Sequence, residues 1–76
     1  LENVISATLK TIPGALSFHD LRIVPGATHT NVIFDVLLAA DCRSSRDEIQ
    51  DLLSQAVAAY NPDFRCVVEF DKSYVS

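Results

Sequence analysis

Residues 29–39 read HTNVIFDVLLA, and this run decides the fold around it. Val32, Phe34, Val36 and Leu38 share one parity, against Asn31, Ile33, Asp35 and Leu37 on the other. A repeat of two is that of a strand, whose successive side chains point to opposite faces. One face is wholly apolar and belongs on a core. The other sets an acid, Asp35, between Ile33 and Leu37, which is more apolar surface than a merely solvated face carries.

On the N-terminal side of this strand, Pro25-Gly26 is a turn signal, because proline presets φ for the first central position and glycine accepts positive φ. Residues 16–24 before it are β-prone and pair back as an antiparallel hairpin. Leu16 and Phe18 have one parity and Leu21 and Ile23 the other, so a bulge or twist near His19 and Asp20 is expected. Further upstream, Leu1, Val4, Ile5, Leu9 and Ile12 recur at helical spacing, which predicts a helix over 1–12 stopped by Pro13-Gly14.

On the C-terminal side, Ser45 and Glu48 have the spacing of a capping box. The helix it opens carries Ile49, Leu52, Leu53, Ala56, Val57 and Tyr60 on one stripe and ends at Asn61-Pro62. Residues 64–70 then alternate Phe64, Cys66, Val68 and Phe70 against Arg65, Val67 and Glu69, a closing strand.

The order αββαβ predicts one α+β domain over 1–76: a three-stranded, mostly antiparallel sheet with two helices on one face. Its other face stays open, carrying Ile33, Asp35, Leu37, Val67, Glu69 and Asp71, and a half-apolar exposed face marks a partner surface. A chain of 76 residues buries only about 60% of its unfolded surface, so a second copy on that face would help hold it together.

The composition is globular, with 49% hydrophobic and 21% charged residues. A net charge of −4, with acids spread along the chain, argues against nucleic acid and anionic lipid, which need clustered Lys and Arg. Cys42 and Cys66 have neither zinc-knuckle spacing nor the number for a disulfide framework, and read as a loop thiol and a core thiol in a reducing cytosol. No apolar run reaches the roughly 18 residues of a membrane span, so the domain is expected to be soluble. With Leu1 in first place, the expectation is a piece of a longer chain. A chain with only two glycines has no glycine-rich phosphate loop; there is also no Cys-x-x-Cys, no His-Glu-x-x-His and no nucleophile, base and acid series, so no enzyme is expected.

His19-Asp20-Leu21-Arg22, the Pro25-Gly26-Ala27-Thr28 turn, the apolar strand holding Asp35 and the closing Val67-Val68-Glu69-Phe70-Asp71 resemble the C-terminal cytoplasmic domain of the cation diffusion facilitator family over nearly the whole chain. The resemblance implies a ferredoxin-like, metallochaperone-like fold on the cytoplasmic face of the cell membrane. It also implies an attached transmembrane domain, not among these residues, that exports divalent cations against protons. The implied role is regulatory homodimerisation through the open sheet face, with divalent metal (Zn, Mn or Fe) sensed there and no organic cofactor. Alternatives are a purely structural dimerisation domain with a degenerate site, or a free-standing metal carrier.

Carried over by position, the implied metal ligands are His19, Asp35, Glu69 and Asp71. His19 and Asp71 match the residue types of zinc-transporting members, whereas Asp35 and Glu69 stand where those members have histidine. Carboxylates shift a site toward harder ions such as Mn²⁺. Each position also has a plainer reading. In it His19 is spent on a hydrogen bond at the strand bulge, Asp35 and Glu69 on solvation, and Asp71 on pairing with Lys72. Asp20 and Arg22 read as an ion pair, and His29 as a solvated loop histidine.

Overall fold

A computed structural model describes residues 1–73. The elements run α1 (Glu2–Leu9), β1 (Ala15–Pro25), β2 (Thr30–Leu38), α2 (Arg46–Tyr60) and β3 (Phe64–Lys72). The strands form one sheet in the order β1-β2-β3. β1 and β2 pair antiparallel as a hairpin. β2 and β3 pair parallel through the α2 crossover, so the sheet is mixed, with one junction of each kind. This is the expected α+β arrangement.

The alternation of β2 sets the core. Val32, Phe34 and Val36 are fully buried and Leu38 nearly so, while Asn31, Ile33, Asp35 and Leu37 between them are only half-buried. Ile5, Leu9 and Ile12 from the first helix and its exit, and Ile49, Leu53 and Val57 from α2, pack on the even residues of β2, so both helices cover one face. Phe18 meets Phe34 edge to face at 6.0 Å between centroids. The narrowness of the α2 stripe corrects the sequence reading at two positions. Leu52 and Tyr60 lie on its flank and are about half exposed, at 45% and 51%.

α1 is shorter than the predicted 1–12. Thr11 N and Ile12 N bond to the carbonyls three residues back, at Thr8 and Leu9, which tightens the final turn out of α geometry before Pro13. Ser45 caps α2 as expected, its Oγ accepting from Glu48 N at 3.1 Å. Gly14 has φ +90°, where glycine alone is unstrained, and a Cβ there would come within 2.7 Å of Cys42 Sγ. The turn after α1 thus nests against the loop that leads into α2.

The outer edge of β3 is closed by one side chain. Gln50 on α2 donates from Nε2 to Cys66 O at 3.0 Å and accepts at Oε1 from Val68 N at 3.3 Å. A primary amide bound to a carbonyl and to the N–H two residues on reproduces the hydrogen bonds of a neighbouring strand. The remaining carboxamide hydrogen of Gln50 goes to Ser54 Oγ at 2.9 Å.

Candidate functional site

The bulge in β1 positions the site. His19 pairs with Asp35 and Arg22 with Ile33, so Asp20 and Leu21 together oppose the single residue Phe34. Asp20 takes φ 57°, the left-handed conformation that Asp tolerates better than most residues. This is where the parity change demanded a bulge. Its effect is to keep Phe18 and Leu21 toward the core while His19 and Arg22 both point to the open face. A second irregularity, between Ala15 and Ser17, leaves Leu16 as the extra residue, 54% exposed, so that Ala15 and Phe18 serve the core instead.

On the open face, His19, Asp35 and Glu69 stand in one row across the three strands, β2 in the middle. Asp71 is one row along, paired with Leu37, which in turn pairs with Ser17. The four residues singled out from the sequence therefore share one face and two adjacent rows. His19, Glu69 and Asp71 are exposed and Asp35 is half-buried.

The row does not make a closed chelate within one chain: among the described residues no three His, Cys, Asp or Glu side chains converge to hold a metal ion. His19 Nε2 is hydrogen-bonded to Ser17 Oγ at 2.9 Å. Arg22 Nε donates to the backbone carbonyl of Asp20 at 3.2 Å, so the contact joining this pair runs to the main chain rather than making the expected ion pair. His29 lies beside the turn, its Nδ1 bonded to Thr28 Oγ1 at 3.1 Å.

Asp35 carries the electrostatic tension of the face. Its Oδ1 is out of contact with solvent and has no hydrogen-bond partner. Burial, first, raises its pKa above the ordinary carboxylate value; the adjacent Glu69 charge comes next, then a hydrogen bond with Glu69 that favours the protonated form, and then the charges of Asp20 and Asp71. An unbonded carboxylate oxygen among other acids is a group that a divalent cation would satisfy, so the donor set fits a hard cation.

Away from this face, a hollow of about 530 Å³ lies between Gly14 and the Asp41–Ser44 loop. Cys42 there donates to Pro13 O at 3.6 Å. No helix among the described residues is long and apolar enough to cross a membrane.

No family model matches the sequence, and a search of curated proteins finds no match. Solved structures do match. One of CzrB, a candidate zinc transporter, is 20% identical, with 95% of this chain and 90% of that chain covered and a TM-score of 0.71. The Zn form of CzrB is 15% identical, covers 99% and 83% respectively, and has a TM-score of 0.78. The metal-bound C-terminal domain of the CzcD transporter from Thermotoga maritima is 16% identical over 97% of this chain and 90% of its own, with a TM-score of 0.65. What such identities establish is the fold, and it is the fold of the C-terminal domains of cation diffusion facilitator transporters, the family that the sequence resembles.

Proposed function

We propose that this chain is the regulatory C-terminal domain of a proton-coupled cation efflux transporter of the cation diffusion facilitator family, and that it is not an enzyme. In this reading it lies on the cytoplasmic face of the membrane, attached to a transmembrane domain, and dimerises through its open sheet face. A divalent cation, Zn²⁺, Mn²⁺ or Fe²⁺, is held by His19, Asp35, Glu69 and Asp71 of two copies together.

The observation that carries the reading is the unpaired Asp35 Oδ1 in the His19–Asp35–Glu69 row, with Asp71 in the next row. Like charges so placed repel one another. A cation between two copies reverses the sign of that interaction and draws the domains together. Because three of the four donors are carboxylates, the site favours Mn²⁺ relative to a histidine-rich one.

Calorimetric titration with Zn²⁺ and with Mn²⁺, paired with sedimentation of the same samples, tests this. Binding accompanied by a rise in dimer affinity is expected, and Asp35→Asn should abolish both. Absence of binding at millimolar metal would sink the sensing role.

A further inference from the structure

The sheet has two edges, and they are treated differently. Gln50 occupies the middle of β3, at one edge. β1 is the other edge, and past Ala15 no group from either helix among the described residues bonds to its backbone. Which of its groups point outward follows from the hairpin. Gly26 N donates to His29 O at 2.9 Å, and at the far end Ala39 N donates to Gly14 O at 2.8 Å. These bonded pairs fix the alternation between them. Phe18, opposite Val36, and Ile23, opposite Val32, therefore fall in non-hydrogen-bonded pairs, with N–H and C=O directed away from β2. The free ladder also has defined ends, because Ala15 N is taken by Ile12 O at 3.1 Å and Pro25 has no N–H.

The same stretch is incompletely covered on its helix side. Ala15, Phe18 and Ile23 pair with Leu38, Val36 and Val32, all buried, yet none of the three is itself buried, and Ile23 is 51% exposed. α1 lies beside β1 and leaves a hollow at each of its ends. One, of about 220 Å³, is lined by Leu9, Lys10, Leu16 and Phe18 among others, and the second, of about 400 Å³, by Leu1, Glu2, Leu21 and Ile23. Measured on β2, from Val36 to Val32, the β1 residues of the two hollows are four positions apart, roughly 13 Å along a strand. The hollows carry opposite charges, Lys10 at the first and Glu2 at the second. Neither side chain has a hydrogen-bond or ion-pair partner among the described residues.

We infer that β1 docks an extended segment of another protein as a fourth strand, antiparallel to β1, with apolar side chains at i and i+4 in the two hollows, a cation before them facing Glu2 and an anion after them facing Lys10. A strand is the occupant because outward N–H and C=O groups at strand spacing are matched by another strand's backbone, while pockets for alternate side chains select its sequence. The charges set its direction. β1 runs from the Lys10 hollow to the Glu2 hollow, so an antiparallel segment enters at Glu2 with its cation and leaves at Lys10 with its anion. Docking at this edge leaves the open sheet face clear, so it and the metal-sensing role stand or fall separately.

Fluorescence anisotropy of a labelled, C-terminally amidated peptide, Lys-Thr-Leu-Thr-Thr-Thr-Leu-Thr-Glu, titrated with the chain in EDTA tests the inference, circular dichroism reporting that each variant is folded. Saturable binding is expected, weakened about fivefold by Lys10→Glu and restored in that variant when the peptide's last residue is changed to Lys. Ile23→Thr should weaken it by at least about fivefold, since it removes apolar surface from one hollow. The same peptide N-methylated at both leucines, which lie opposite Phe18 and Ile23 in this register, lacks the N–H groups that face β1 and should not bind. Amide exchange at Phe18 and Ile23 should slow when the parent peptide is added. No saturation at millimolar peptide overturns the inference, as do N-methylated peptide binding as well as its parent, indifference to Lys10→Glu, or unslowed exchange at those two amides.

Discussion

A carboxylate surrounded by other carboxylates responds to pH differently from one in water, and Asp35 is such a group. Its folded pKa is raised by burial and by Glu69, Asp20 and Asp71. Above the ordinary value near 4, the folded chain therefore binds more protons at this site than the unfolded chain does, and stability falls as pH climbs through the raised value. Asp35→Asn should flatten that decline and melt above wild type at pH 7 in EDTA. Thermal melts from pH 4 to 8 read the difference, and a variant that still declines with the wild-type slope rules out Asp35 as the source. The Cys66 thiol moves in the same direction for one cause, since burial pushes its pKa up to about 11 against the weaker opposing pull of Gln50 and Ser54. At pH 8 only about one in a thousand of these thiols is ionised, so a maleimide should label Cys42 while leaving Cys66 of the folded chain unmodified. The same shift removes stability between about pH 9 and 11, as unfolded chains ionise first.

At the scale of elements, what the sequence discloses depends on whether the information is local. β2 is legible because its alternation is uninterrupted and one parity is entirely apolar. α2 is legible because Ser45 and Glu48 mark its start and Asn61-Pro62 its end. The bulge is legible as a parity conflict, and the alternation of β2 and β3 puts Asp35, Glu69 and Asp71 on one face, whereas His19 joins them in the sequence only through the family resemblance. Their arrangement within that face is not legible, because the register of β3 against β2 is set by how α2 seats on the sheet. Nor does spacing reveal the Gln50 side chain reaching β3, since that depends on packing between distant segments. The join between α1 and β1 gives a direct test of such packing. Gly14→Ala places a Cβ 2.7 Å from Cys42 Sγ and holds alanine at φ +90°, so a loss of about 1–3 kcal/mol is expected in chemical denaturation. Cys42→Ala in the same chain should recover the part due to the sulfur and leave the parts due to the φ of residue 14 and to the Cβ and Cα of residue 42, at 2.8 and 3.0 Å. Full recovery would show that the sulfur alone carries the cost.

As a whole molecule the chain is elongated, 41 × 21 × 19 Å, and small, so its single core leaves much apolar surface in the open. Ile23 and Val24 are 51% and 46% exposed on the hairpin, and Val67 is 43% exposed on the open face. A mixed sheet of this size can associate through its faces or through its edges. The two routes have different ends: stacking on one face closes at two copies, whereas joining edges extends a sheet without limit. The Gln50 carboxamide decides between them along the middle of β3 by occupying the hydrogen-bonding groups of Cys66 and Val68 that an incoming strand would need. Gln50→Ala should leave the fold intact and give time-dependent light scattering on gentle heating where wild type stays clear; an unchanged scattering trace would remove the amide from this role. One glutamine thus acts as a chain terminator for polymerisation. A chain crowded among its own copies meets its neighbours often and still stops at pairs.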